Sequence, residues 1–228
     1  MRHVREEADS LTSETMQSVF LKMVGNPSTN PMGWPAKKLG EVCLRITDGT
    51  HVTPKYVEAG VPFLSVKDVR NGRLDFSNVR FISEEQHREL TKSAKPEYGD
   101  ILYTKVGTIG VAAFVNTNRE FSIFVSVALL KPDHGVIDSR FLTEMMNTDY
   151  LRSQAHRRVK GIGVPDLHLV EIRDFDIVVP PMQLQQKFAE IAVRIDTVKT
   201  HQQGSAQGID ELFHSLMQKA FQGELAAA

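Results

Sequence analysis

The sequence predicts an α+β fold: a mixed, mostly-β domain followed by a long α-helix with coiled-coil spacing. Short β-prone runs recur between residues 38 and 130, each closed by a turn signal. From Pro180-Pro181 onward the texture becomes helical, with apolar residues at Leu184, Phe188, Ile191, Ile195 and Val198, then at Ile209, Leu212 and Leu216. They alternate four and three apart, the rhythm of a coiled-coil seam. About 40 residues at about 1.5 Å each make a rod roughly 60 Å long. A domain of this size has no packing need for such a rod.

The elements follow in order. Leu11, Met16, Val19, Phe20 and Met23 stripe a short N-terminal helix that stops near Gly25-Asn26-Pro27. A turn-rich linker runs from Pro27 to Pro35. Strands are then expected at Leu39–Ile46, Val61–Val66, Val79–Ile82, Ile101–Val106, Val111–Val115 and Ser122–Leu130. Asp48-Gly49, Asn71-Gly72, Gly99-Asp100, Gly107 and Gly110 supply the turns. Ser83-Glu84-Glu85-Gln86 fits a capping box opening a helix to about Ser93. Asp138 caps a helix expected to run to about Arg158, and a loop over Lys160–Pro165 leads to a last strand, Phe175–Val179. Pro180-Pro181 suits the first turn of the rod. The rod's middle, His201–Gly208, has two glycines and no large apolar residue. Met16–Met23 is echoed by Phe213–Ala220, so the N-terminal helix looks like the tail of a similar rod.

With 228 residues and 41% hydrophobic content, the chain can bury a real core. No apolar run approaches the roughly 18 residues that span a bilayer, and the acidic, polar start is no signal peptide. The single cysteine, Cys43, excludes a disulfide framework and a cysteine-based zinc site. The expected location is cytoplasmic. Net charge is −1, but Arg152–Lys160 carries four fixed positive charges and no carboxylate. That patch suits a phosphate backbone or equally a solvated helix end.

Catalytic chemistry finds little footing. There is no phosphate-binding Gly-Lys loop and no Gly-x-Ser-x-Gly elbow. Gly161-Ile162-Gly163 lacks the third glycine of a dinucleotide loop and runs into Pro165. The histidines are scattered without metal-ligand spacing, and Asp48-Gly49-Thr50 beside His51 reads as a turn before an acid–base pair. No catalytic residue, metal or cofactor is expected.

Several blocks together resemble the specificity subunit of type I restriction-modification systems. They are Gly33-Trp34 with Lys38–Val42, Ile46–His51, Gly60–Leu64 with Lys67–Val69, and Gly99–Leu102 leading to Gly107–Gly110. Val179–Pro181, Gln185–Phe188 and the ending Ser215–Leu225 complete the series. Their order and spacing are the specific signal. The resemblance implies residues 1–32 as the tail of a helical region, 33–180 as a DNA target-recognition domain, and 181–225 as a conserved spacer helix. Two such domains and two antiparallel helices usually make one subunit, so this chain resembles half of one: a fragment, or a half-subunit that self-associates. It further implies double-stranded DNA as ligand, with methyltransferase (modification) and ATP-dependent restriction subunits as partners that supply the chemistry. Exposed loop residues are the DNA-binding candidates: Thr50, His51, Lys55, Lys67, Arg70, Lys105, Thr108, Arg157, Lys160 and His168. Two rivals stay open, a recognition module of another restriction-modification class and a coiled-coil adaptor without DNA specificity.

Overall fold

The computed structural model describes residues 15–160 and 163–198. The expected heptad positions Ile209, Leu212 and Leu216, and the rod beyond residue 198, lie outside them. The chain divides into two units. One spans residues 17–189; of the other, residues 15–16 and 190–198 are described, and all are helical. In that second unit Ala192 is buried, Ile191 and Ile195 are half-buried, and Val193 and Val198 are exposed.

Two four-stranded sheets form the larger unit. The first has the order β10-β4-β7-β3, from β3 (Tyr56–Val57), β4 (Val61–Leu64), β7 (Arg80–Ile82) and β10 (Ser122–Ile123). The second has the order β2-β11-β8-β9, from β2 (Cys43–Asp48), β8 (Ile101–Thr104), β9 (Ala112–Phe114) and β11 (Val127–Pro132). Two small ladders pair β1 (Ala36–Lys38) with β12 (Asp176–Val178), and β5 (Val69–Arg70) with β6 (Arg73–Leu74). All pairings are antiparallel except β10 with β4. Leu64, Phe121 and Ile123 from the first sheet's side meet Leu102, Ala113, Val127 and Leu129 from the second in one buried cluster. Every one of these side chains removes apolar surface from water, worth about 1.5–3 kcal/mol for a fully buried large residue.

The expected run Ser122–Leu130 is two strands. After β10 the chain turns, with Val127 N–H donating to the Phe124 carbonyl, and re-enters the other sheet as β11. A continuous apolar run carries no mark of that crossing, because both halves are buried. The expected strand at 39–46 likewise starts later: Leu39–Glu41 is a 3-10 turn, and β2 begins at Cys43.

Helices flank the sheets: α1 over 15–24, α2 (Glu84–Leu90), α3 (Ser139–Met146), α4 (Asp149–Arg158), α5 (Leu169–Arg173) and α6 over 182–198. Ser83 caps α2 by accepting from Gln86 N–H, and Asp138 caps α3 by accepting from Phe141 N–H. The single helix expected over 138–158 is broken at Asn147-Thr148. The chain leaves the helical path at Thr148, which is extended, and the Asn147 amide at the end of α3 accepts from Ala112 N–H and donates to the Ala112 carbonyl, both at 2.9 Å. Helix α5 was not foreseen. Phe20 of α1, Phe141 of α3 and Phe188 of α6 meet with ring centroids 5.5–5.9 Å apart, so heptad position Phe188 serves this domain's own core. Among the described residues no helix is long and apolar enough to cross a membrane.

Asn147 has counterparts. Gln154 donates to the Asp176 carbonyl at 2.8 Å and accepts from Asp176 N–H at 2.9 Å. Gln86 does the same with Lys55, and Asn30 with Trp34. Each amide satisfies a backbone donor and acceptor where no neighbouring strand does so, which matters because unpaired buried backbone groups are costly. Gln154→Met keeps the length but strands both Asp176 groups. It should lower stability by about 2–3 kcal/mol, seen as a reduced urea midpoint at unchanged slope; an unmoved midpoint would show that water replaces the amide.

Candidate nucleic-acid interface

β2 does not turn at Asp48-Gly49. Asp48 is the last residue of the strand, and the chain stays extended to Thr50, which bridges in parallel to Phe124. Thr50 N–H donates to the Ile123 carbonyl, and Val125 N–H donates back to the Thr50 carbonyl. Gly49 permits this approach, since a Cβ there would overlap the Ile123 carbonyl. The segment after it is fixed by the Thr50 hydroxyl, which donates to the Val52 carbonyl and accepts from Val52 N–H. His51 is thereby presented to solvent, its Nε2 3.5 Å from Asp48 Oδ1.

Asp48 faces Lys105, the residue that follows β8, the strand next but one to β2 in the sheet. Lys105 was expected as an exposed loop side chain; it is 4% exposed. Its ammonium lies 3.3 Å from Asp48 Oδ2 and 3.6 Å from Asp166 Oδ1. The reason for its burial is topological: Lys105 N–H donates to the Ser126 carbonyl and its carbonyl accepts from Leu167 N–H, so the chain is covered on both sides. A buried ammonium is tolerated only with carboxylates at hand, and these two come from segments far apart in sequence. Asp166 also pairs its backbone with Lys160 in both directions, and its Oδ2 is 3.8 Å from His168 Nε2. Gly107, at φ +78°, donates to the Pro165 carbonyl and starts the tight loop that carries exposed Thr108. Beneath this loop the Tyr103 hydroxyl is buried without a hydrogen-bond partner among the described residues. Burial pushes its pKa up, against a weaker opposing pull from Arg152, so the phenol is neutral.

One knot therefore gathers Thr50, His51, Lys105, Thr108, Lys160 and His168. Lys67 and Arg70 join it through Ser126, whose hydroxyl accepts from Val66 N–H while its carbonyl takes Lys105 N–H. Both are exposed, and Arg70 Nε donates to the Lys67 carbonyl. No hydrogen bond or ion pair among the described residues ties Lys55 or Arg157 to the knot; Lys55 is held against α2 by Gln86, and Arg157 is exposed on the last turn of α4. Lys160 already lies 2.6 Å from Glu171. Asp48, Asp166 and Ser126 organise the knot, and no local pattern marks them for it: each matters through a partner far along the chain. Among the described residues no group of histidine, cysteine or carboxylate side chains is arranged to hold a metal ion. The arrangement offers positioned hydroxyls, imidazoles and cations on stiff loops, which is chemistry for recognition.

Comparison with known proteins agrees with this character. Residues 31–208 match the family described as type I restriction modification DNA specificity domain. The specificity subunit of type I restriction enzyme EcoBI from Escherichia coli is 24% identical over 175 residues, which are 75% of this chain and 37% of that protein. The EcoKI specificity subunit, also from Escherichia coli, is 27% identical over 210 residues, 84% of this chain and 43% of its own length. Among solved structures, the HsdS subunit from Thermoanaerobacter tengcongensis superposes with a TM-score of 0.58 at 20% identity, covering 97% of this chain and 54% of that one. The S subunit from M. genitalium gives 0.57 at 14% identity, covering 95% and 54%. The chain thus spans about half the length, or less, of these relatives.

The knot makes a stability prediction. Lys105→Met leaves two carboxylates without their cation and should cost about 3 kcal/mol at neutral pH. Adding Asp48→Asn and Asp166→Asn to it should recover most of that loss in denaturant unfolding. A single variant as stable as the parent would show that the ion pairs do not hold the loops.

Proposed function

The chain belongs to the type I restriction-modification DNA specificity family, and on that premise we propose that it reads one half of a two-part duplex DNA site. The observation that supports this best is the ion-paired knot. It fixes three loops, at 50–52, 105–110 and 163–168, so that Thr50, His51, Thr108 and His168 stand on a rigid base. Side chains held in this way can discriminate base edges in a major groove, because a wrong base leaves a fixed donor or acceptor unpaired. Lys67, Arg70, Arg157 and Lys160 serve phosphates, which add affinity without sequence information. Lys105 acts behind them: its charge is spent on Asp48 and Asp166, and it positions the reading loops without touching DNA. Lys160 exchanges Glu171 for a phosphate on binding.

The chain itself is non-catalytic in this reading. Methyl transfer and ATP-driven cleavage belong to modification and restriction subunits that it addresses to DNA. Helix α6 begins the spacer that sets the distance to the second half-site. Leu184, Ile191, Ile195 and Val198 lie on its seam, while Phe188 anchors the helix to the recognition domain. A second recognition domain and its helix, from another copy of the chain or from the same subunit, supply the antiparallel partner helix and the other half-site.

Selection from a random duplex pool, with the modification subunit present, tests the reading. A short recurrent half-site is expected; a pool that stays random would leave a coiled-coil adaptor as the better description. Arg157→Ala with Lys160→Ala should weaken binding to all sequences alike and flatten the dependence of affinity on salt by about one unit of log–log slope per lost contact. An unchanged slope would remove these two residues from the phosphate contacts.

A further inference from the structure

We propose a second phosphate-binding element, a groove along the free edge of β2 in which Arg45 and Arg173 hold the DNA backbone next to the reading loops. This rests on the DNA-binding reading above and concerns residues outside the loop set. The groove, of about 420 Å³, is lined by Gly40, Cys43, Leu44, Arg45, Ile46, Thr47 and Arg173. It contains two arginines and no carboxylate.

β2 is the outer strand of its sheet, so every second residue turns its backbone N–H and carbonyl away from β11. Arg173 Nη2 donates to one such group, the Ile46 carbonyl. That single bond leaves most of the guanidinium's five donors for another acceptor. Gly40 lets Arg173 lie close, since a Cβ on Gly40 would stand 3.3 Å from Arg173 Cβ. The Arg45 side chain is exposed and has no ion pair or hydrogen bond to another described residue. The carboxylates nearby are engaged elsewhere: Glu41 accepts from Lys38 N–H, and Asp174 faces Lys38 and Arg158.

Position gives the groove its ligand. One wall, β2, runs from Arg45 to Asp48 and on to Thr50 and His51. The other, α5, runs from Arg173 back to His168. Both walls thus start at the knot and end in an arginine. Arg45 to Thr50 is five strand residues, about 16 Å, and Arg173 to His168 five helical residues, about 7.5 Å. At about 3.4 Å per base pair along one DNA strand, the arginines meet the backbone about two to five steps beyond the bases read by the loops. An exposed Leu44 at the rim adds apolar surface that a deoxyribose can cover.

The test uses the full chain on a duplex of random sequence, then on the selected half-site. Arg45→Ala and Arg173→Met should each reduce the salt slope by about one unit, weaken binding to every duplex equally, and leave the enriched sequence unchanged. Because Arg173 also holds the Ile46 carbonyl, Arg45→Glu alone serves if Arg173→Met fails to fold, and should weaken all duplex binding more than Arg45→Ala. Wild-type slopes in the variants would overturn the groove as a phosphate site. So would a changed preference at one base position, which would make the arginines base readers, or failure of the parent chain to bind any duplex. A parent that binds duplex DNA with a normal salt slope but enriches no sequence would refute the specificity reading and leave the groove standing.

Discussion

A buried lysine sets the shape of the loop surface proposed to read DNA. Lys105 is enclosed because its backbone is hydrogen-bonded on both sides, to Ser126 and to Leu167. Once enclosed, its ammonium requires carboxylates, and Asp48 and Asp166 supply them. That requirement draws together the end of β2, the end of β8 and the loop before α5. Each brings an exposed side chain with it: His51, Thr108 and His168. Specific recognition needs donors and acceptors whose positions do not relax to suit a wrong base. A charge that cannot be left unpaired is an effective way to hold them.

Short strands create a second problem, since many of their ends have no neighbouring strand. The domain answers with side-chain amides. Asn147, Gln154, Gln86 and Asn30 each present a carbonyl and an NH2 to one residue's N–H and C=O, as an adjacent strand would. One of these clamps, Asn147 on Ala112, sits where α3 ends. The helices are thereby locked to the sheets through fixed polar contacts as well as through apolar packing. Phe20, Phe141 and Phe188 do the corresponding apolar work where α1 and α6 leave the domain.

These two devices divide the surface by task. Cations committed to carboxylates of the domain itself, Lys105, Lys131 and Lys38 among them, build the scaffold. Lys131 between Glu97 and Asp100 is a close parallel to Lys105. Burial pushes the Asp100 carboxyl up and Lys131 pulls it back, while the same lysine draws Glu97 below its usual range. Cations on the loop face and along the β2 edge have weaker commitments, and these are the ones proposed above to meet phosphates. A near-neutral net charge is compatible with DNA binding when positive charge is sorted in this way.

Sequence alone settled the class of fold, the strand-rich middle, the caps at Ser83 and Asp138, and the change to a helix at Pro180-Pro181. These signals act over a few residues: a hydroxyl or carboxylate meeting an N–H three positions on, or a proline fixing one torsion. The ordered motif blocks also pointed to the family, and most of the candidate residues fell in loops that do converge. Tertiary structure alone decided that Lys105 is buried, that Ser122–Leu130 crosses between sheets, that the helix breaks at Asn147-Thr148 and that Phe188 belongs to the domain core. It also placed Arg45 and Arg173 in one groove. All of these depend on partners dozens of residues away, and no local pattern records which distant carboxylate or carbonyl will be there to meet a side chain.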